Sequence, residues 1–301
     1  MHVFIRKLFQ FTLGLVTLTA GVLFVSCLYM NSIRLTIDKS KNILVLGDSH
    51  TECAIDGDAF TRAENFSKSA TPVIYSYVAL RQLIVDNPQI DTVLLGFHTG
   101  TLIYERERNW IFGESEMARQ IPYFLPYFNA EDVWLFLRTR QFYKSAMEIP
   151  RASLDYYLKN RNGKGQSWIN ENIGHFRQLT FSMFSKDTSV TIPFANQKKK
   201  DTVSQISLGY IRKMAIFCKE HHITLILINP PVYRSDLYDN YAILEENRKK
   251  LLRDLLFVNY ENFPIPDSSR FDIWHLNQYG ARQFSQYLAS NLANDVREQN
   301  R

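Results

Sequence analysis

Asn42-Ile43-Leu44-Val45-Leu46-Gly47-Asp48-Ser49-His50 is the stretch that decides the fold. Ile43–Leu46 is an unbroken aliphatic run of the length of a strand buried on both faces. It ends in Gly-Asp-Ser, which sets a hydroxyl on the turn at the carboxyl end of a sheet, the edge where open α/β sheets take ligands. Outward from it, the spacing predicts further buried strands at Asp91–Phe97, Ile223–Asn229 and Phe257–Tyr260. Helical patterns lie between and after them at Pro72–Val85, Ser204–His221, Tyr241–Leu255 and Gly280–Leu292. Strands alternating with helices indicate a parallel, doubly wound sheet. Asn65–Ala70 reads as a polar loop.

A second segment, Asp272-Ile273-Trp274-His275-Leu276-Asn277, offers an acid and a base three residues apart. A serine hydroxyl is a weak nucleophile until a base takes its proton, and a carboxylate orients that base. Ser49, His275 and Asp272 are therefore the candidate catalytic residues. The plainer readings are a serine that caps the helix following it and a loop whose Asn277 caps the last helix. Asp48 is read as bracing the turn, and Tyr75, His50 and Cys53 as packing in preference to lining the pocket.

Gly47-Asp48-Ser49-His50 after a strand, with Asp272-x-x-His275-Leu276-Asn277-x-x-Gly280-Ala281 before a terminal helix, resembles the SGNH/GDSL hydrolase superfamily. It is most similar to the membrane-anchored, cell-envelope branch, which includes alginate O-acetyltransferase-like and D-alanyl transfer-like proteins. The resemblance covers roughly residues 41–100 and 204–293. It implies a flavodoxin-like three-layer α/β/α fold, with Ser49 as nucleophile, His275 as general base and Asp272 as its partner. It also implies oxyanion donors at the Ser49 N–H and at Ala70, which stands where the family has a glycine. The third block of the family, Gly-x-Asn, reads Gly96-Phe97-His98 here, so that the resemblance implies oxyanion or substrate contacts at Gly96 and at His98, which takes the place of the asparagine.

Leu8–Met30 contains no charged residue and spans 23 positions. About 20 apolar residues cross a bilayer as a helix. Arg6 and Lys7 precede the run, which favours a cytoplasmic amino terminus. Residues 1–30 are expected to be an uncleaved signal anchor, and 31–301 a single SGNH-like domain outside the cytoplasm. A cleaved signal peptide and lipidation of Cys27 are the rival readings. Residues 31–42 form a short polar linker. Residues 101–200 are rich in aromatics and arginine, and read as a largely helical insertion broken at Pro122, Pro126 and Pro150. Helices are expected there over Glu131–Tyr143 and Arg151–Lys159.

The composition, 46% hydrophobic and 22% charged, is that of a globular protein able to bury a core. The net charge of +5 is scattered except at Lys198-Lys199-Lys200, which argues against nucleic acid as a partner. Cys27, Cys53 and Cys218 and the seven dispersed histidines match no zinc spacing. No metal or organic cofactor is implied. The function expected from the resemblance is a serine esterase or O-acyltransferase acting on acyl groups, chiefly acetyl, of a cell-envelope or exported polysaccharide. Its partners would then be the acylated glycan and the membrane. A non-catalytic glycan-binding or scaffold protein of a polysaccharide assembly system is the alternative of another class. A lipid-directed esterase is a third.

Overall fold

The computed structural model describes residues 1–98, 100–102, 107–180, 203–233 and 241–299. Lys198–Lys200 lie outside the described residues. The chain divides into two compact units, one formed by residues 1–34 and 114–172 and the other by residues 35–113 and 173–301.

The second unit is an α/β fold. Strands β1 (Ile43–Leu46), β2 (Ala63–Asn65), β3 (Thr92–Gly96), β4 (Thr224–Asn229) and β5 (Leu256–Asn259) form one parallel sheet in the order β2-β1-β3-β4-β5. This is the flavodoxin-like order, and its direction reverses between β1 and β3. Ile43 pairs with Thr92 and Leu46 with Leu95, so the two central strands end level with each other. Side chains alternate across a sheet. Ile43 and Val45, with Leu94, Ile226, Ile228 and Val258, share one core with helix α11 (Gln278–Gln299). Ala281, Phe284, Leu288 and Leu292 are the buried stripe of that helix, at spacings of three and four. Burying each of the larger ones stabilises the fold by about 1.5–3 kcal/mol. Elsewhere in the unit α3 (Val73–Asp86) and α9 (Gln205–Glu220) pack together, and Tyr77 meets the Tyr210 ring at 5.7 Å between centroids. Helices α2 (Ser49–Glu52) and α10 (Tyr241–Leu251) complete the unit.

Three sequence expectations change here. β2 lies where no strand was expected, just before the segment read as a loop and sharing only Asn65 with it. Ala-Glu-Asn is short and polar, and it is a strand only because β1 offers it a parallel edge. The linker is not simply polar, since Ile33, Leu35 and Ile37 alternate as buried residues. Its backbone is pinned to the end of α3, where Ile37 N–H donates to Asn87 Oδ1 at 2.7 Å and Asn87 Nδ2 donates to Leu35 O at 2.6 Å. Finally, residues 173–180 belong with the sheet: His175 N–H donates to Ser67 O, Arg177 N–H to Glu52 O and Gln278 N–H to Leu179 O.

The first unit gathers α1 (His2–Asn31), α4 (Glu114–Phe124), α5 (Ala130–Phe136), α6 (Arg140–Ala146), α7 (Ile149–Arg161) and α8 (Gly165–Asn172). The helix expected over 131–143 is two, because the chain turns at Thr139, whose N–H and hydroxyl both donate to Phe136 O. Pro150 opens α7 instead of breaking it, standing in the first turn where its missing N–H costs nothing. Pro122 lies near the end of α4. Helix α1 has the length and apolar composition needed to cross a membrane.

Candidate active site

The site is built on the ends of β1 and β3, where the strand order reverses. Gly47 leaves β1 with φ +150°. A Cβ there would stand 2.4 Å from Thr51 Oγ1 and 3.2 Å from the Gly96 Cα. Gly96 is equally confined, since a Cβ would lie 2.9 Å from Thr51 Cγ2. The two glycines let the first turn of α2 sit directly on the sheet end. Close packing thus accounts for Gly96, which the sequence had suggested for substrate contact. Asp48 caps α2 by accepting the His50 N–H at 3.0 Å. Ser49 is the first residue of that helix, so its N–H has no acceptor within the helix. Asn65 clamps the other end of the turn: its buried amide donates to Thr51 O at 2.9 Å and to Ile55 O at 2.7 Å.

The second segment arrives from the loop before α11. An antiparallel bridge joins Arg270 to Leu276. Asn277 caps α11, accepting from Tyr279 N–H at 3.0 Å and Gly280 N–H at 3.3 Å. Asp272 Oδ1 accepts the backbone N–H of Trp274 at 2.7 Å and of His275 at 2.8 Å, which fixes the carboxylate before it meets the ring. His275 Nδ1 then lies 2.8 Å from Asp272 Oδ2, and His275 Nε2 lies 2.9 Å from Ser49 Oγ. The carboxylate holds the proton on Nδ1, leaving Nε2 as the acceptor for the serine hydroxyl. Burial works against the Asp272 charge, but the His275 hydrogen bond outweighs it and holds the carboxyl below its ordinary range. Ser49, His275 and Asp272, 226 residues apart at the extremes of the trio, are thus linked in one chain of hydrogen bonds.

His98 stands elsewhere than the oxyanion reading required. Its Nε2 is 2.6 Å from Asp48 Oδ2, and its Nδ1 accepts the Gly100 N–H at 3.1 Å. That acceptor role places a ring proton on Nε2, donated to Asp48. Both nitrogens are engaged, so the ring N–H expected to face a substrate is turned to a carboxylate instead. Asp48 is buried, and burial opposes its charge. The pull of His98, followed by that of His50, prevails and holds it far below the usual carboxylate range. The His50 ring stacks on His98 at 4.0 Å and 17°. Asp48, His50 and His98 bring three potential ligand atoms within 4.8 Å of one another. Stacked rings hold their lone pairs in nearly parallel planes, and His98 engages both its nitrogens with Asp48 and Gly100, so this trio suits hydrogen bonding better than convergence on one ion. The Asp48–His98 pair and the Asn65 clamp were the parts of the site that sequence reasoning missed.

Ala70, the second expected oxyanion position, has φ +51°. This left-handed conformation favours glycine and costs an alanine about 1–2 kcal/mol. Tyr75, His50 and Cys53 are buried, as packing residues are. Glu52 is buried too, accepts the Ser69 hydroxyl, and has its pKa raised by burial.

No family model and no curated protein matches the chain. Among solved structures it is similar to a GDSL-like lipase from Bacteroides thetaiotaomicron VPI-5482, at 10% identity and a TM-score of 0.39, over 90% of this chain and 94% of that one. A protein assigned as an acylhydrolase from Bacteroides fragilis NCTC 9343 aligns at 10% identity and a TM-score of 0.38, over 89% and 92%. A protein assigned as a platelet activating factor from Streptococcus pneumoniae aligns at 11% identity and 0.35, over 95% and 98%. These likenesses concern the fold, which the strand order and register establish independently.

Proposed function

We propose that this chain is a serine esterase or O-acyltransferase, anchored in a membrane by α1 with its site outside the cytoplasm. Its substrate class is an O-acyl ester, chiefly acetyl, on a cell-envelope or exported polysaccharide. The observation that carries the chemistry is the Ser49–His275–Asp272 chain, with contacts of 2.9 Å and 2.8 Å.

In this reading Ser49 Oγ attacks the acyl carbonyl while His275 Nε2 takes its proton. Asp272 stabilises the imidazolium that forms. Negative charge on the carbonyl oxygen is met by the backbone N–H groups of Ser49 and Ala70. The ester C–O bond breaks, and His275 returns the proton to the departing sugar oxygen. The acyl-serine then passes to water in an esterase, or to a second sugar hydroxyl in a transferase. The glycan and the extracytoplasmic side come from the sequence resemblance and the charge-free anchor.

The test is labelling with a fluorophosphonate, which reacts with an activated serine. The wild-type chain should label at Ser49, and Ser49→Ala should not. An unlabelled, folded wild type would instead support the second reading, a non-catalytic glycan-binding or scaffold protein. One observation favours that reading: the His98 ring is committed to Asp48 and supplies no side-chain oxyanion donor.

A further inference from the structure

We propose that helix α7 lies in the lipid interface beside the emerging anchor, so that the first unit meets the bilayer through two elements. The proposal rests on the reading of α1 as a membrane anchor.

Helix α1 is covered by protein only over its last turns. Ser26 and Met30 are buried, Thr19, Leu23, Cys27 and Tyr29 are half-buried, and every residue before Thr19 is exposed. Within this unit α7 packs against α1. The Tyr29 ring lies 6.1 Å from Tyr156 and 6.5 Å from Tyr157, and Tyr127 Oη donates to Met30 O at 3.0 Å. Around the rest of the same turns Val22, Phe24, Val25 and Leu28 stay exposed. They belong to the charge-free run, so lipid is their environment. A bilayer core takes up about 20 residues of helix. Tyr29, at the end of a 23-residue run, then stands at the level where tyrosines favour the headgroup boundary.

Helix α7 therefore meets the anchor at that level through Tyr156 and Tyr157, and its own surface fits that position. Ile149, Ala152 and Ser153 make its buried face. The other face presents Leu154, Tyr157 and Leu158, exposed at 57%, 48% and 48%. They follow the spacing of one helical stripe, with Arg151 a turn before and Arg161 a turn after. Arg151 also meets Glu148, and Asp155 at the edge of this face meets Lys159, both at 3.6 Å; an apolar centre with arginines at its two ends fits a helix lying in the interface plane. The arginine stems can follow the apolar surface while their heads reach lipid phosphate. Continuity with the lipid-facing turns of α1 and this charge pattern select lipid as the occupant.

The test uses the full-length chain in phospholipid vesicles containing an apolar diazirine confined to the bilayer, followed by peptide mapping. Label is expected in α1 and at Leu154, Tyr157 and Leu158, well above that at Ile216, an exposed apolar residue of α9. Leu154→Glu/Leu158→Glu should lose the α7 label and keep the α1 label. Label in α1 with α7 no higher than Ile216 would overturn the proposal and leave the anchor standing. No label in either helix would overturn both. Cross-links joining α7 of two copies, with α7 unlabelled, would assign the face to a second copy and likewise refute it.

Discussion

Removing the His98 ring tests whether Asp48 is a buried charge held by one neighbour. Asp48 accepts from His98 Nε2 at 2.6 Å and from the His50 N–H at 3.0 Å. In His98→Ala the second contact remains, and the carboxylate loses the ring donor of His98. A hydrogen bond to a charged group is worth about 1.5–3 kcal/mol. At about 2–4 °C per kcal/mol for a domain of this size, the melting temperature should fall by about 3–12 °C. The loss arises from stranding a charge, not from the missing ring volume alone. Asp48→Asn in the same background should therefore recover part of it, because a polar pair removed together costs less than one partner left buried. The assay is thermal and urea unfolding of the full chain in detergent, followed by tryptophan fluorescence, for the wild type, both single variants and the double variant. If the double variant loses the sum of the two single losses, Asp48 and His98 are uncoupled and the reasoning fails.

Asp272→Asn should lower turnover of a model acetyl ester by about 10⁴-fold, the scale of the same change in a serine protease. The fold should persist, which circular dichroism checks. Asp48 and Asp272 both have folded pKa values below the ordinary one. The stability they contribute is thus present above the unfolded value of about 3.9 and is lost as pH falls from there toward the folded values. Urea midpoints measured from pH 7 to pH 3 should decline on the acid side, and less steeply in Asp48→Asn. Burial pushes the Cys218 thiol up to about 12 and raises that of Cys53 as well. Iodoacetamide at pH 8 should leave both unmodified until urea unfolds the chain, as peptide mass mapping would show.

The parts of the molecule legible in the sequence were those with strong local patterns. Four aliphatic runs gave four of the strands, each within a residue or two. β2 carried no such pattern, since its pairing partner makes it a strand. The trio of Ser49, His275 and Asp272 could be named because each stands in a short motif with its own turn chemistry. Asp48–His98 could not, because that contact exists only once β1 and β3 lie side by side. His98 illustrates the limit of matching a motif by position. It occupies the asparagine's place in the chain, yet its longer side chain reaches back to a carboxylate. The break at Thr139 was also hidden, as residues 131–143 carry no proline or glycine to mark it.

The burial of Met30 and Ser26 against the helices of residues 114–172 bears on how the protein matures and how it can be produced. A peptidase cutting between residues 20 and 27 would remove part of that unit's own interior, not a disposable leader. Tyr127 and Tyr156 would keep Met30 and Tyr29, but on a helix cut back to its last turns. The same holds for the usual laboratory shortcut of starting a soluble version just after the apolar run. A version beginning at residue 31 would carry a raw hydrophobic wound and would be expected to aggregate. One that keeps the helix from Thr19 onward, with its outward Val22, Phe24, Val25 and Leu28 changed to polar residues, would retain the plug.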